Sequence, residues 1–206
     1  MSEKARAAEN LELVGGRLCL DFANTLSTRL EGLGREYLNG YPELVAWGRH
    51  AGVLAGDEAA ALLRCAARQP GLAASALARA IDLREAIYRI FAGTAHGRRP
   101  RPADLAALNA MLRQALARLE VRPIGERFAW TWAAGDDDLD RALWPVARSS
   151  AELLTSDDLA RVGQCQREGC DWLFVDASKN RSRRWCIMNV CGARVKMRRY
   201  YQRKKH

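Results

Sequence analysis

The chain has 206 residues, 49% of them hydrophobic, which is enough for one ordinary domain with its own core plus a small appendage. Four of its first ten residues are charged, and no stretch approaches the roughly eighteen uninterrupted apolar residues of a membrane helix. We therefore expect a folded cytoplasmic protein without a membrane partner. The whole net charge of +9 falls after residue 164, where twelve Lys and Arg face three acidic residues, and this basic segment on a neutral body favours a polyanion as partner.

The first 70 residues predict short elements. Residues 11–20 read as a short strand interrupted by two glycines, and a helix is expected over residues 21–26. Pro42 suits the first turn of the next helix, and residues 57–68 are typical of another. This part of the chain is therefore expected to be mainly helical.

The clearest periodicities follow. Apolar residues repeat at steps of four and three over residues 76–91 and again over 102–119, which predicts two helices with one buried face each. Over residues 121–132 the period changes to two, which predicts a β-hairpin with three aromatic residues on one side, Phe128, Trp130 and Trp132.

A last helix of the body is expected over residues 139–154, preceded by three consecutive aspartates. An acidic run at this place usually interacts with the positive N-terminal end of a helix rather than with a metal ion. The body is therefore predicted to be helical with a small β component.

The last four cysteines carry the strongest signal in the sequence. Cys165 and Cys170 form one Cys-x4-Cys pair, fifteen residues separate it from the next, and Cys186 and Cys191 form the second. Two such pairs supply the four thiolates that a tetrahedral structural Zn²⁺ requires, in a segment too short to build its own core. Ordinary buried thiols or redox pairs are the alternatives, and they explain the clustering less well. The remaining two cysteines lie in apolar contexts and are expected to be buried hydrophobes, Cys19 and Cys65.

The residues around these pairs are basic. Residues 172–175 are expected to form a short strand or hairpin that covers the site, and the chain after Cys191 reads as a helix. One stripe of this helix is apolar and is expected to pack on a core: Val190, Ala193, Met197, Tyr200 and Tyr201. A solvated face would mix charge signs, whereas nothing acidic follows residue 176, so the basic residues predict nucleic-acid contacts. They are Arg181, Arg183, Arg184, Arg194, Lys196, Arg198, Arg199, Arg203 and Lys204.

Two stretches resemble known families. Residues 183–196, with the upstream pair of cysteines, resemble the CGNR zinc-finger family, and residues 13–26 resemble the ABATE domain that precedes this finger in stress-induced transcription regulators. The resemblance implies an N-terminal ABATE-like domain over residues 1–160, a zinc finger over residues 161–206, and a transcription regulator that binds DNA. It also implies that the four cysteines are the zinc ligands and that Arg194 and Lys196 contact DNA. Where the family signature has Asn, this chain has Ala193.

The leading hypothesis is therefore a zinc-dependent, DNA-binding transcription regulator whose N-terminal domain senses a signal or dimerises. Alternatives are an RNA-binding or ribosome-associated zinc protein and a thiol redox switch, in which oxidation ejects the metal. An enzyme is not expected, because no nucleophile with a base and no phosphate-binding loop stand out. Three polar residues that interrupt apolar patterns are candidates for a small-molecule effector pocket or, alternatively, for capping and ion pairs, namely Asp21, Asn24 and Arg84.

Overall fold

The structure is a computed structural model that describes residues 6–30, 33–133, 135 and 137–204. It has an α+β fold that is mostly helical, as predicted, with two small antiparallel sheets. The described part contains no helix long and apolar enough to cross a membrane. The helices are α1 (Leu18–Ala23), α2 (Tyr41–His50), α3 (Gly56–Arg68), α4 (Pro70–Ala95), α5 (Pro102–Leu116), α6 (Trp144–Leu154) and α7 (Ala193–Lys204), and the strands are β1 (Leu119–Ile124), β2 (Arg127–Trp132), β3 (Val162–Gln164) and β4 (Leu173–Val175).

Helix α4 forms the centre of the body. The predicted apolar face is confirmed, because Leu83, Ile87 and Ile90 are all buried. Helices α1, α2, α3 and α5 pack against α4, and α5 packs in turn against α6. Helix α4 begins earlier than its apolar face, at Pro70, because the fixed φ of proline suits a first helical turn. Only Gln69 therefore separates α3 from α4.

The prediction of a strand over residues 11–20 is wrong. Helix α1 begins at Leu18, residues 11–14 belong to no strand, and residues 15–17 form a bend. The carbonyl of Gly15 accepts a hydrogen bond from the N–H of Val175 at 2.8 Å, so this segment lies along β4 without forming a ladder. Gly16 has a φ of +74° and turns the chain into α1, a conformation that favours glycine.

The last helix of the body is shorter than predicted. It begins at Trp144, after a 3₁₀ turn over Arg141–Leu143. Of the three aspartates, Asp136 lies outside the described residues, and the carboxylate of Asp138 accepts hydrogen bonds from Gly135 and Arg118. The hydrogen bonds of Asp138 thus stabilise the loop before the 3₁₀ turn and not the N-terminus of α6.

Strands β1 and β2 form the predicted hairpin, in which Val121 pairs with Trp130 across the strands. Trp132 is half-buried against Trp144, with ring centroids 5.9 Å apart. Phe128 and Trp130, on the same side, are 76% and 59% exposed. The apolar face of the hairpin is therefore covered by the body at Trp132, its inner end, and exposed to solvent at Phe128 and Trp130, its outer end.

The cysteine segment packs directly on the helical body. Strands β3 and β4 pair with each other, and both contact α4. Leu173 and Phe174 of β4 and three of the four cysteines are buried in the same continuous apolar core as α1 and α4. No flexible linker separates the two parts within the described residues, so the body fixes the orientation of the cysteine segment.

Helix α7 forms as predicted, but its apolar stripe does not pack on a core. Met197, Tyr200 and Tyr201 are 51%, 51% and 58% exposed, and Ala193, where the helix begins, is exposed as well. The helix extends away from the body and contacts mainly the turn that precedes it. The periodicity of the sequence correctly places these side chains on one face of α7. It does not show whether another part of the protein covers that face.

Candidate metal centre

The first pair of cysteines sits in a tight loop between β3 and β4. Cys165 directly follows β3, and its N–H donates to the carbonyl of Trp172 at 2.9 Å. The N–H of Cys170 donates to the carbonyl of Arg167 at 3.0 Å, and Gly169 has a φ of +75°. Glycine adopts this conformation without strain, so the loop can curl back and bring both thiols to one point.

In the second pair, Cys191 lies in a π-helical turn over Met188–Gly192 that leads into α7. The N–H of Cys191 donates to the carbonyl of Ile187 at 2.8 Å. A Cβ on Gly192 would lie 2.6 Å from the sulfur of Met188 and 3.4 Å from the ring of Trp185. Glycine is therefore needed for the close packing of this turn, and π-helical turns occur often at functional sites.

The four sulfurs meet as a tetrahedral metal site requires. All lie within 4.8 Å of one another; the Sγ of Cys186 is 3.7 Å from that of Cys170 and 3.5 Å from that of Cys191. Tetrahedral Zn²⁺ with Zn–S bonds of about 2.3 Å places its sulfurs about 3.8 Å apart. The predicted ligand set thus forms a site for one structural Zn²⁺, and Cys19 and Cys65 are buried as expected.

The ionisation of the thiols also favours a cation between them. Hydrogen bonds from the other thiols, those of Cys165 and Cys170 first, lower the pKa of Cys191, while the neighbouring thiols raise the pKa of Cys186. Adjacent sulfurs cannot all be ionised unless a positive charge lies among them. A bound Zn²⁺ supplies that charge and lets all four act as thiolates.

Arg167 is also part of this site, and it is not among the residues predicted from the sequence. Its Nε donates to the Sγ of Cys191 at 3.1 Å, and its other nitrogens donate to the carbonyls of Glu168 and Gly169. Four thiolates around Zn²⁺ carry a net charge of −2, which a guanidinium partly neutralises. Its position between Cys165 and Cys170 is the sequence signal that could have indicated a contact with the thiolates.

Comparisons with known families agree with this geometry. Residues 16–157 match the model of the ABATE family, whose description is "Putative stress-induced transcription regulator", and this match covers more than half of the chain. The chain belongs to the ABATE family. Residues 161–204 match the CGNR zinc finger, so the metal site lies in that module. A search of curated proteins finds no match to this chain.

The N-terminal motif of the ABATE domain binds the edge of the CGNR finger. The side-chain amide of Asn24 accepts a hydrogen bond from the N–H of Leu173 at 2.8 Å and donates to its carbonyl at 2.9 Å. The indole N–H of Trp172 donates to the carbonyl of Leu26 at 3.0 Å. Asn24, a candidate for an effector pocket, therefore has both ends of its amide engaged by β4 and serves as a buried clamp.

This clamp predicts a large stability effect. Asn24→Ala leaves the N–H and C=O of Leu173 buried without their partners, so we expect the free energy of unfolding to fall by about 2 to 4 kcal/mol in urea denaturation. Asn109 is exposed on α5, and Asn109→Ala is the matched control with an expected change below about 0.5 kcal/mol. Equal effects of the two substitutions would contradict the clamp.

The other two candidates for an effector pocket also have partners within the protein. Arg84 is buried and forms a two-pronged ion pair with Glu36, at 2.6 and 2.8 Å, and a bond of 2.9 Å to Glu85. Asp21 accepts a hydrogen bond of 2.7 Å from the N–H of Gly15 and so holds the turn that lies along β4. These contacts favour the capping and ion-pairing alternative, and an effector pocket at these residues stays a prediction.

Asp21 makes stability depend on pH. Burial raises the pKa of Asp21 to about 6, although the hydrogen bond from Gly15 opposes the shift. A raised pKa in the folded state means that stability is lost as the pH rises through 6. Asp21→Asn removes the charge and keeps the acceptor oxygen, so we expect a gain of about 1 kcal/mol at pH 7 in denaturant titrations. The gain should grow from about pH 4, near the ordinary pKa of an aspartate, to about pH 6 and be nearly constant above. A gain independent of pH would contradict this assignment.

The residues predicted to contact nucleic acid have different surroundings. Arg183 points inward: its guanidinium lies 4.3 Å from the ring centre of Phe174 and donates to four carbonyls, those of Val14, Val175, Trp185 and Cys186. The guanidinium of Arg183 is therefore engaged inside the protein, and we do not propose it as a nucleic-acid contact. The others are exposed, namely Arg181, Arg184, Arg194, Lys196, Arg198, Arg203 and Lys204, and the side chain of Arg199 lies outside the described residues.

Proposed function

We propose that the chain is a zinc-dependent transcription regulator that binds duplex DNA through its CGNR finger. The observation that carries this proposal is the exposed basic helix α7, which begins two residues after the ligand Cys191. Within it, Arg194, Lys196, Arg203 and Lys204 are exposed and have no acidic partner among the described residues, whereas Arg198 pairs with Glu168. Such an unbalanced charge is stabilised by a polyanion.

The dimensions of α7 suit the major groove of DNA. Its 12 residues give a length of about 18 Å, and the groove of B-DNA, about 12 Å wide, admits one helix. The Zn²⁺ site holds Cys191 against the first pair of cysteines, and this restraint fixes the direction in which the helix leaves the body. Arg181 and Arg184, in the loop before Cys186, are available for phosphate contacts on the same module.

Salt-dependent binding tests this function. We expect the zinc-loaded protein to bind duplex DNA with an affinity that falls steeply as salt rises, because each phosphate contact releases counterions. Competition with RNA separates duplex binding from the RNA-binding alternative, for which the exposed Tyr200 and Tyr201 could stack on unpaired bases. Negligible affinity for duplex DNA at low ionic strength, or preference for RNA, would contradict the proposal.

The ABATE domain would regulate the finger by sensing a signal or by bringing two chains together. Self-association is favoured by the β1–β2 hairpin, whose outer apolar face of Val121, Phe128 and Trp130 is exposed. A two-stranded hairpin is marginally stable alone, and a second copy would cover this face symmetrically. Light scattering should detect a dimer that Phe128→Ser with Trp130→Ser converts to a monomer; a monomeric native protein would contradict self-association.

A further inference from the structure

A cavity of about 450 Å³ opens where the helical body meets the CGNR finger. Its walls come from the end of α4, the loop over residues 96–101, the start of α5 and Gln164 of β3. Its size falls in the range of small-molecule sites, and such sites often lie between two modules. It is separate from the polar cluster of Asp21, Asn24 and Arg84, none of which lines it.

The lining of this cavity is strongly basic. Among the described residues that line it, the only acidic one is Asp104, which is buried and accepts hydrogen bonds from Arg89 at 2.9 Å and from Arg101 at 2.8 and 3.1 Å. These bonds hold two guanidinium groups at the wall and leave each of them further N–H donors. Arg98 and Arg99 are exposed and have no ion-pair partner among the described residues. Four arginines thus face one carboxylate, which leaves an excess of three positive charges.

The loop that carries these arginines is held in place by its backbone. The N–H of Arg98 donates to the carbonyl of Gly93 at 2.9 Å, and Gly97, with a φ of +69°, closes the end of α4. Pro100 and Pro102 restrict the chain further. A basic cavity that is already formed binds an anion with little ordering cost.

One side of the cavity belongs to the finger. The side-chain oxygen of Gln164 forms a hydrogen bond of 2.7 Å with Nε2 of His96. The side-chain nitrogen of Gln164 donates a hydrogen bond to the hydroxyl of Tyr88 at 2.9 Å. Gln164 immediately precedes the zinc ligand Cys165. A molecule in the cavity would therefore touch both the body and a residue next to the metal site.

We infer that this cavity binds a phosphorylated small molecule, which serves as the effector of the protein. Guanidinium groups match phosphate oxygens with paired hydrogen bonds, and the three positive charges that remain after Asp104 is counted would be neutralised by the negative charge of a phosphate ligand. Ala92 and Gly93 provide a small apolar floor for the rest of the ligand. As an effector site the cavity rests on the proposed regulatory function, whereas anion binding itself does not.

Inorganic pyrophosphate is the probe that tests the site, in calorimetric titrations of the zinc-loaded full chain without DNA. We expect Arg98→Gln with Arg99→Gln to weaken its binding about tenfold or more, because charge-assisted hydrogen bonds to the phosphate are lost. Arg64→Gln with Arg68→Gln removes the same charge from exposed positions on α3 and should change affinity less than about twofold. No binding of pyrophosphate, or equal weakening in both variants, would overturn the inference.

Two further measurements test the pyrophosphate site separately. One uses the native protein without substitutions, and the other distinguishes the site from the proposed DNA-binding surface. In the native protein, pyrophosphate should shift the amide NMR signals of Gly93, Gly97 and Gln164, and shifts confined to α7 would overturn the site. The Arg98→Gln, Arg99→Gln variant should keep its affinity for duplex DNA within about twofold, since the cavity lies on the body and not on α7. If its DNA affinity falls while pyrophosphate binding is unchanged, the arginines contact nucleic acid and the effector site is wrong.

Discussion

Replacement of Cys186 by serine is expected to abolish stoichiometric zinc binding and to unfold the finger. The Sγ of Cys186 lies 3.7 and 3.5 Å from those of Cys170 and Cys191, so its loss opens the ligand set on both sides. Structural Zn²⁺ contributes about 10 kcal/mol or more to the folding of small zinc modules. We expect zinc content to fall from one ion per chain towards zero and the finger to lose its dispersed NMR signals, with a loss of at least about 4 kcal/mol in stability.

The chain provides a matched control for this experiment. Cys65 is buried in α3 outside the ligand set, so Cys65→Ser changes the same chemical group in a buried setting. It should reduce stability by only about 1 to 3 kcal/mol and leave one zinc ion per chain. A Cys186→Ser protein that retains zinc as tightly as the native one would contradict the four-thiolate site. Chelation of the native protein should reproduce the spectrum of the Cys186 variant.

The effect of zinc loss should extend beyond the finger. Strand β4 and three of the cysteines are buried in the core that also contains α1 and α4, and Asn24 holds the edge of β4. Unfolding the finger would expose this part of the body to water. We therefore interpret the ABATE domain and the CGNR finger as one cooperative unit, in contrast with a finger on a flexible tether.

Much of this arrangement could be predicted from the sequence, because the relevant signals are local. The steps of four and three in α4, the period of two in the hairpin and the spacing of the cysteines each act over a few residues. The zinc site is fixed by the type and spacing of Cys165, Cys170, Cys186 and Cys191, and no distant residue is needed to complete the ligand set.

What escaped prediction depends on contacts distant in sequence. Asn24 and Leu173 are separated by 149 positions, and neither carries a local signal that it binds the other. The segment around Gly15 has the composition of a strand, yet it follows β4 through one backbone hydrogen bond and then turns into α1. In the sequence Arg183 does not differ from the other arginines of the basic loop, but in the structure its guanidinium donates hydrogen bonds to surrounding backbone carbonyls. The prediction that the apolar stripe of α7 packs on a core is wrong for a related reason, since a helical wheel does not show where the body ends.

Neutralising α7 is expected to have the largest effect on DNA binding. Arg194, Lys196 and Arg203 are exposed on this helix and have no acidic partner among the described residues, so changing all three to glutamine removes charge without breaking an ion pair. If each contacts a phosphate, the slope of log affinity against log salt should fall by about 2 to 3 units. The affinity for duplex DNA near 0.1 M salt should fall by about ten- to a hundredfold, measured by fluorescence anisotropy.

The matched control removes three arginines from the body instead. Arg64, Arg68 and Arg113 are exposed on α3 and α5, and their change to glutamine lowers the net charge by the same amount. Long-range attraction acts equally on both variants and is screened beyond about 10 Å at 0.1 M salt, whereas only α7 would lie against the phosphates. The body variant should therefore keep a slope within about 0.5 units of the native value. Equal slopes for the two variants would mean that DNA responds to net charge alone, and the assignment of α7 as the DNA-contacting helix would be wrong.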